Sequence, residues 1–111
     1  MQKYYFTFFL LILSSLYGYG QCSPDTTSPT ISCPSNVTVG CWHQVPSLTP
    51  TVSDNCGGIS LQTYVLTGAT TGGSPATGIH DASSENFLAG TTTVTYYIED
   101  SSGNSASCNF T

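Results

Sequence analysis

The chain has 111 residues and a formal charge of −5 at neutral pH, with six acidic side chains against a single Lys or Arg. That one cation is Lys3, so residues 21–111 contain no Lys or Arg at all. Nucleic acids and anionic bilayers are held through Lys and Arg, so this composition excludes the first as a partner and disfavours the second.

In chain order, residues 1–20 have the form of a secretory signal. Lys3 is the only early charge, Phe6 to Leu13 is a short apolar core, and Gly18-Tyr19-Gly20 offers small residues for cleavage. The apolar stretch falls well short of the roughly 20 residues that span a bilayer. A lipid attachment at Cys22 is the weaker reading, because Gln21 stands where a small residue is wanted. Residues 21–29 are rich in Ser, Thr and Pro and are read as a short linker. Thr30 to Cys33 and Val37 to Val39 are short β-rich pieces interrupted by Pro34, which suits a first strand kinked at a sheet edge. Trp42 to Pro50, punctuated by Pro46 and Pro50, predicts an irregular second strand ending near Val52.

Asp54-Asn55-Cys56-Gly57-Gly58 is a turn by composition. Ile59 to Thr67 returns to strand, with Ile59, Leu61, Thr63 and Val65 on one face. Gly68 to Asn86 offers few apolar anchors and is read as a long mobile loop. Val94, Tyr96 and Ile98 then alternate with polar neighbours, and Ala106, Cys108 and Phe110 do the same. Asp100 to Asn104 is the reversal between these two strands, with Gly103 free to take positive φ. No amphipathic helical spacing appears outside the signal, so the fold class is all-β.

The runs Thr30-Ile31-Ser32-Cys33-Pro34 and Asp100-Ser101-Ser102-Gly103-Asn104, with Asp54-Asn55-Cys56 and Cys108-Asn109-Phe110, resemble the hyalin repeat, or HYR domain. The resemblance covers about Asp25 to Thr111 and implies an immunoglobulin- and fibronectin-III-like antiparallel β-sandwich over residues 30–111. It also implies a non-catalytic extracellular adhesion or spacer module on a secreted or bacterial-type cell-surface protein. Because such repeats continue a few residues past this point and recur, the chain is expected to be the N-terminal part of a longer protein. Its expected partners are then a cell-surface protein or glycan and neighbouring repeats. The alternative is a carbohydrate-binding module attached to an exported enzyme.

Five cysteines in so short an exported chain imply disulfides. Cys33, Cys41, Cys56 and Cys108 resemble the four-cysteine form of the repeat, and four cysteines allow three pairings. Similar depth in a sandwich favours Cys33 with Cys108, which leaves Cys41 with Cys56 and makes Cys22 the unpaired one. Zinc at Cys41-Trp42-His43 with Cys56 is disfavoured by spacing and by export, and His80 is read as a solvated loop residue.

Calcium fits better. In an immunoglobulin-like sandwich the start of the first strand and the turns after the second and sixth strands gather at one end. Here those carry Asp25, Asp54 with Asn55, and Asp100 with Asn104, all hard oxygen donors without a competing cation. The plainer reading is that each caps a turn. Asp81, Glu85, Glu99 and Asp100 could supply a glycosidase pair only on a larger scaffold, and no nucleophile context surrounds His43 or His80, so no catalysis is expected. Trp42, Tyr64, Tyr96 and Tyr97 could line a sugar-binding face, but the Trp and an inward Tyr of such a sandwich are more often core, with Tyr96 in a role like a tyrosine corner; Tyr97 then points outward and is the surface-contact candidate. Asn36 and Asn109 stand in N-glycosylation acceptor patterns.

Overall fold

A computed structural model describes residues 22–40 and 44–111. The signal read at 1–20 and the Cys41-Trp42-His43 run lie outside the described residues. The described chain is almost entirely β, arranged as two antiparallel sheets in a sandwich-like body. One sheet pairs β1 (Thr30–Ser32) with β2 (Thr51–Ser53). The other has the order β4-β3-β5-β6, built from β3 (Ile59–Gly68), β4 (Gly72–Gly73), β5 (Thr92–Asp100) and β6 (Ser105–Phe110).

The β5-β6 hairpin follows from its alternation. Val94, Tyr96, Ile98 and Phe110 are buried, while Tyr97, Ser105, Ser107 and Asn109 are exposed. Register pairs Tyr96 with Cys108 and Val94 with Phe110. Gly103 turns the corner at φ +88°, a left-handed conformation that residues with a side chain rarely adopt, and Asp100 N–H donates to the Asn104 carbonyl at 2.9 Å.

In β3 the face carrying Leu61, Thr63 and Val65 is the outer one; the core side holds Gln62, Tyr64 and Leu66. Two polar groups can be inward because each is satisfied there. Gln62 Nε2 donates to the His80 carbonyl at 2.7 Å, and the Tyr64 hydroxyl donates to Glu85. A register shift between Ile59 and Leu61 lets the strand start at the Asp100 end of β5.

The second strand is shorter than the sequence suggested, only three residues, because Pro46 and Pro50 withhold ladder donors from the segment before it. Val37 to Val39 forms no strand, although Val37 N–H donates to the Thr111 carbonyl at 2.8 Å. Gly68 to Asn86 is not a slack loop. It contains β4, a parallel bridge from Ile79 to Gln62, and a 3₁₀ turn at Ala82–Ser84. Backbone bonds tie it to β3 through Gln62 with Gly78 and His80, and through Ser74 with Tyr64. Small residues made this segment look empty, but they are what lets backbone approach backbone. An added Cβ on Gly73 would lie 2.6 Å from the Tyr64 carbonyl oxygen.

The core joins the sheets through Val45, Leu48, Tyr64, Leu66, Val94 and Tyr96, with Phe110 stacked on Tyr96 and Ile31 packed against them. Tyr96 is 0% exposed. Its hydroxyl donates to the Leu48 carbonyl and accepts from Ala82 N–H, both at 2.8 Å, so one side chain fastens the segment before β2 and the 3₁₀ turn to β5. Burial raises its pKa above the ordinary tyrosine value, and burial followed by the Glu85 carboxylate raises that of Tyr64.

Two disulfides staple this body. One joins Cys33, just past β1, to Cys108 in β6. The other joins Cys22 to Cys56 and corrects the expectation that Cys56 pairs with Cys41 and that Cys22 is left over. The reason is geometric: Cys22 precedes β1 and Cys56 follows β2, and antiparallel pairing of Thr30 with Ser53 brings those two chain segments to the same end. The four described cysteines are thus paired with one another. Residues 22–29 are accordingly not a free linker, since the staple and Asp25 tie them to the domain.

Candidate functional site, an acidic pole

Strand registers decide which turns meet. Thr30 lies opposite Ser53, Ile59 opposite Asp100, and Glu99 opposite Ser105. The lead-in to β1, the turn after β2 and the β5-β6 turn therefore lie at one end of the sandwich, and the end carrying Gly68, Thr92 and Phe110 is the other. At the first end the structure brings Asp25, Asp54 and Asp100 together, with one carboxylate oxygen of each inside a 4.8 Å group.

Each carboxylate has a local duty. Asp25 Oδ1 accepts from Thr27 N–H at 3.0 Å, and Asp54 Oδ2 accepts from Cys56 N–H at 2.9 Å. Asp100, only 1% exposed, accepts through Oδ1 from the N–H groups of Ser102 and Asn104, and through Oδ2 from the Asn104 side-chain amide at 2.9 Å. Burial alone would push the Asp100 pKa up; hydrogen bonds from the Asn104 side chain and from the turn N–H groups outweigh it and hold the carboxyl below its ordinary value.

Turn capping leaves something over. Asp25 Oδ2 and Asp54 Oδ1 are buried and have no hydrogen-bond donor. A buried acceptor without a partner costs about 1–3 kcal/mol, more when charged. With one oxygen of each within 4.8 Å of the others, the three carboxylates also repel one another, and a bound cation would relieve that repulsion. The capping and ligand readings are therefore compatible, because each of these two residues caps with one oxygen and leaves the other free. All-oxygen, anionic donors fit a hard divalent cation such as Ca²⁺ and not zinc, which prefers nitrogen and sulfur.

Asn104 also binds within the pole. Its amide nitrogen donates to both the Asp25 carbonyl, at 3.1 Å, and Asp100 Oδ2, so it orients two carboxylate residues. Asn55 donates through its amide to Asp25 Oδ1 at 3.4 Å. The sequence missed Cys22 as a member of this pole, and the only signal for it was its position three residues before Asp25.

The remaining candidates lie elsewhere. Asp81 caps the 3₁₀ turn by accepting from Ser83 N–H at 2.8 Å and also accepts from the Thr49 hydroxyl, while Glu85 holds Tyr64. Both carboxylates are engaged in bonds that hold the fold. His80 is half-buried, with its ring Nε2 on the Thr77 carbonyl at 2.7 Å. Tyr97 is 49% exposed on the outer face of the large sheet, between Thr63 and Ser107 on the neighbouring strands. Asn36 accepts from Thr111 N–H, and Asn109 is exposed.

A small, disulfide-stapled all-β module with an acidic pole is what fold and site define. The HYR domain model matches residues 24–111, and the chain belongs to that family. HYR domains are extracellular, adhesion-type modules without catalytic function. No curated protein and no solved structure is matched by the chain. The family match begins inside the stretch read as a linker, in agreement with the staple at Cys22.

Proposed function

We propose that this chain is a non-catalytic adhesion or spacer module of immunoglobulin-like type, exported to the cell surface or medium and braced at its acidic pole by Ca²⁺. The carrying observation is the pair of buried, donorless oxygens, Asp25 Oδ2 and Asp54 Oδ1, beside Asp100 in a body without Lys or Arg. Asp25 and Asp54 would hold the ion with these free oxygens, and Asp100 would add its charge from behind its turn. The ion would neutralise the pole and fix the lead-in to β1 against the β5-β6 turn. A rigid end suits a module whose work is to hold a neighbouring repeat or a surface partner at a set orientation.

The partner in this reading is a cell-surface protein or glycan. Tyr97 supports that choice: it is an exposed ring on a sheet face where its cross-strand neighbours, Thr63 and Ser107, are uncharged.

Thermal unfolding with and without calcium tests the brace. Binding to the folded state alone stabilises by about 2.7 kcal/mol at a hundred times Kd, which raises Tm by on the order of 10–20 °C for a domain this small. Asp54→Asn should abolish most of the rise. An unchanged Tm at millimolar calcium refutes the brace.

A further inference from the structure

Two of the three carboxylates at the acidic pole are positioned by one covalent bond. Asp25 lies three residues after Cys22, Asp54 lies two residues before Cys56, and Cys22 is bonded to Cys56. On its other side Asp25 is five residues from the start of β1. Between the bond and β1, its hydrogen bonds to the rest of the domain are the 3.1 Å one from Asn104 to its carbonyl and the long 3.4 Å one from Asn55. Neither reaches the donorless Oδ2.

We infer that Cys22–Cys56 is a positioning element of the cation site, so that the oxidation state of this disulfide sets the affinity for the ion. The inference rests on the calcium reading of the pole. With the bond closed, Asp25 and Asp54 are tethered to each other through three residues on one side of the sulfurs and two on the other, and the cost of bringing the two like charges together is met before the ion arrives. With it open, residues 22–29 become an arm anchored at β1. Asp25 is then repelled by Asp54 and Asp100, with no covalent restraint to return it.

The chemistry is ordinary thiol–disulfide exchange with a dithiol. Its thiolate attacks the sulfur of the exposed Cys22, forming a mixed disulfide and releasing Cys56 as thiolate; the second thiol closes the reagent to a cyclic disulfide and frees Cys22. The protein gains two electrons and two protons, and the dithiol loses them. Cys56 is buried, which directs the attack to Cys22. The site is thereby completed only after export to a compartment where the bond can form. Cys33–Cys108 lies away from the pole, bonded where Tyr96 pairs with Cys108, and serves as the internal reference.

Calcium titration of the full chain by calorimetry, with Cys22–Cys56 intact and in the paired Cys22→Ser, Cys56→Ser variant, is the direct test. Loss of a group that orients metal ligands typically lowers affinity about 10- to 100-fold, and a loss of at least about tenfold is expected here. Equal binding by the two proteins overturns the inference and leaves the calcium reading standing. No binding by the oxidised chain sinks the calcium reading, and the inference with it.

Coupling is reciprocal, so the unmutated chain offers a second measurement that does not depend on the variant's folding. In a dithiol redox buffer, saturating calcium should make Cys22–Cys56 harder to reduce by the same factor and leave Cys33–Cys108 unchanged, read by alkylation and peptide mass. Equal protection of both bonds, or of neither, overturns the inference. The Asp54→Asn chain should lose the protection.

Discussion

Replacing Tyr96 by Phe removes one oxygen and orphans two buried backbone groups. The hydroxyl is the donor to the Leu48 carbonyl and the acceptor for Ala82 N–H, both at 2.8 Å, and Leu48 and Ala82 are themselves buried. Each orphaned group costs about 1–3 kcal/mol. The ring stays, so its stacking on Phe110 and its edge contact with Tyr64 are kept and no large cavity term enters. The sum is roughly 3 kcal/mol, a large fraction of the 5–15 kcal/mol typical of a folded domain. It should lower Tm by on the order of 12–24 °C. Urea denaturation followed by circular dichroism measures it, with two companions that set the scale. Tyr64→Phe loses a single bond to Glu85, which is half-buried and can turn toward water, and should cost about 1 kcal/mol. Tyr97→Phe alters an exposed hydroxyl and should fall within about 0.5 kcal/mol of the parent. If Tyr96→Phe is no more destabilising than Tyr97→Phe, the hydroxyl is not the fastening described here.

Two further outcomes follow from particular positions. Hydrogen bonds from the Ser83 side chain and N–H, opposed by burial and reinforced by Thr49, hold the Asp81 carboxyl below its ordinary value of 3.8. Its contribution is therefore present above that value and is lost as pH falls below 3.8 through the folded-state pKa; Asp81→Ala should cost about 1 kcal/mol at pH 7 as a lost cap and flatten the acid limb of the stability profile. Gly68 sits at φ +106° with the position of an added Cβ only 2.4 Å from the Thr91 carbonyl oxygen, so Gly68→Ala should destabilise by at least about 2 kcal/mol in the same denaturation assay; a neutral result would mean that the end of β3 is free to shift.

Legibility in the sequence tracked the length of the pattern. The β5-β6 hairpin was readable because nine and six residues alternate about a Gly-containing turn, and the inward positions between buried Thr92 and buried Asp100 are apolar. Strands β1, β2 and β4, at two or three residues, are too short to carry a period. In β3 the apolar residues sit on both faces, and inward Gln62 and Tyr64 are buried through partners that come from a segment 18 to 21 residues later, which no local pattern encodes. The aspartates of the pole could be named because Asp belongs in turns and the turns of a sandwich share an end. Which oxygens would lack donors, and that Cys22 would reach Cys56, depended on register between distant strands.

The Cys33–Cys108 bond also determines how the domain would answer a pull. Tension applied at Cys22 and Thr111 need not pass through the sheets: it can run eleven residues to Cys33, across the sulfurs, and three residues from Cys108 to the end. At about 3.4 Å per extended residue that covalent path is roughly 50 Å long, against roughly 300 Å for the same stretch of chain without the bond. Complete unfolding would therefore let out little length, and the 74 residues between the two sulfurs are shielded from load. Under such a load the domain would behave as a strap of nearly constant length, one whose reach hardly changes whether its strands are paired or parted.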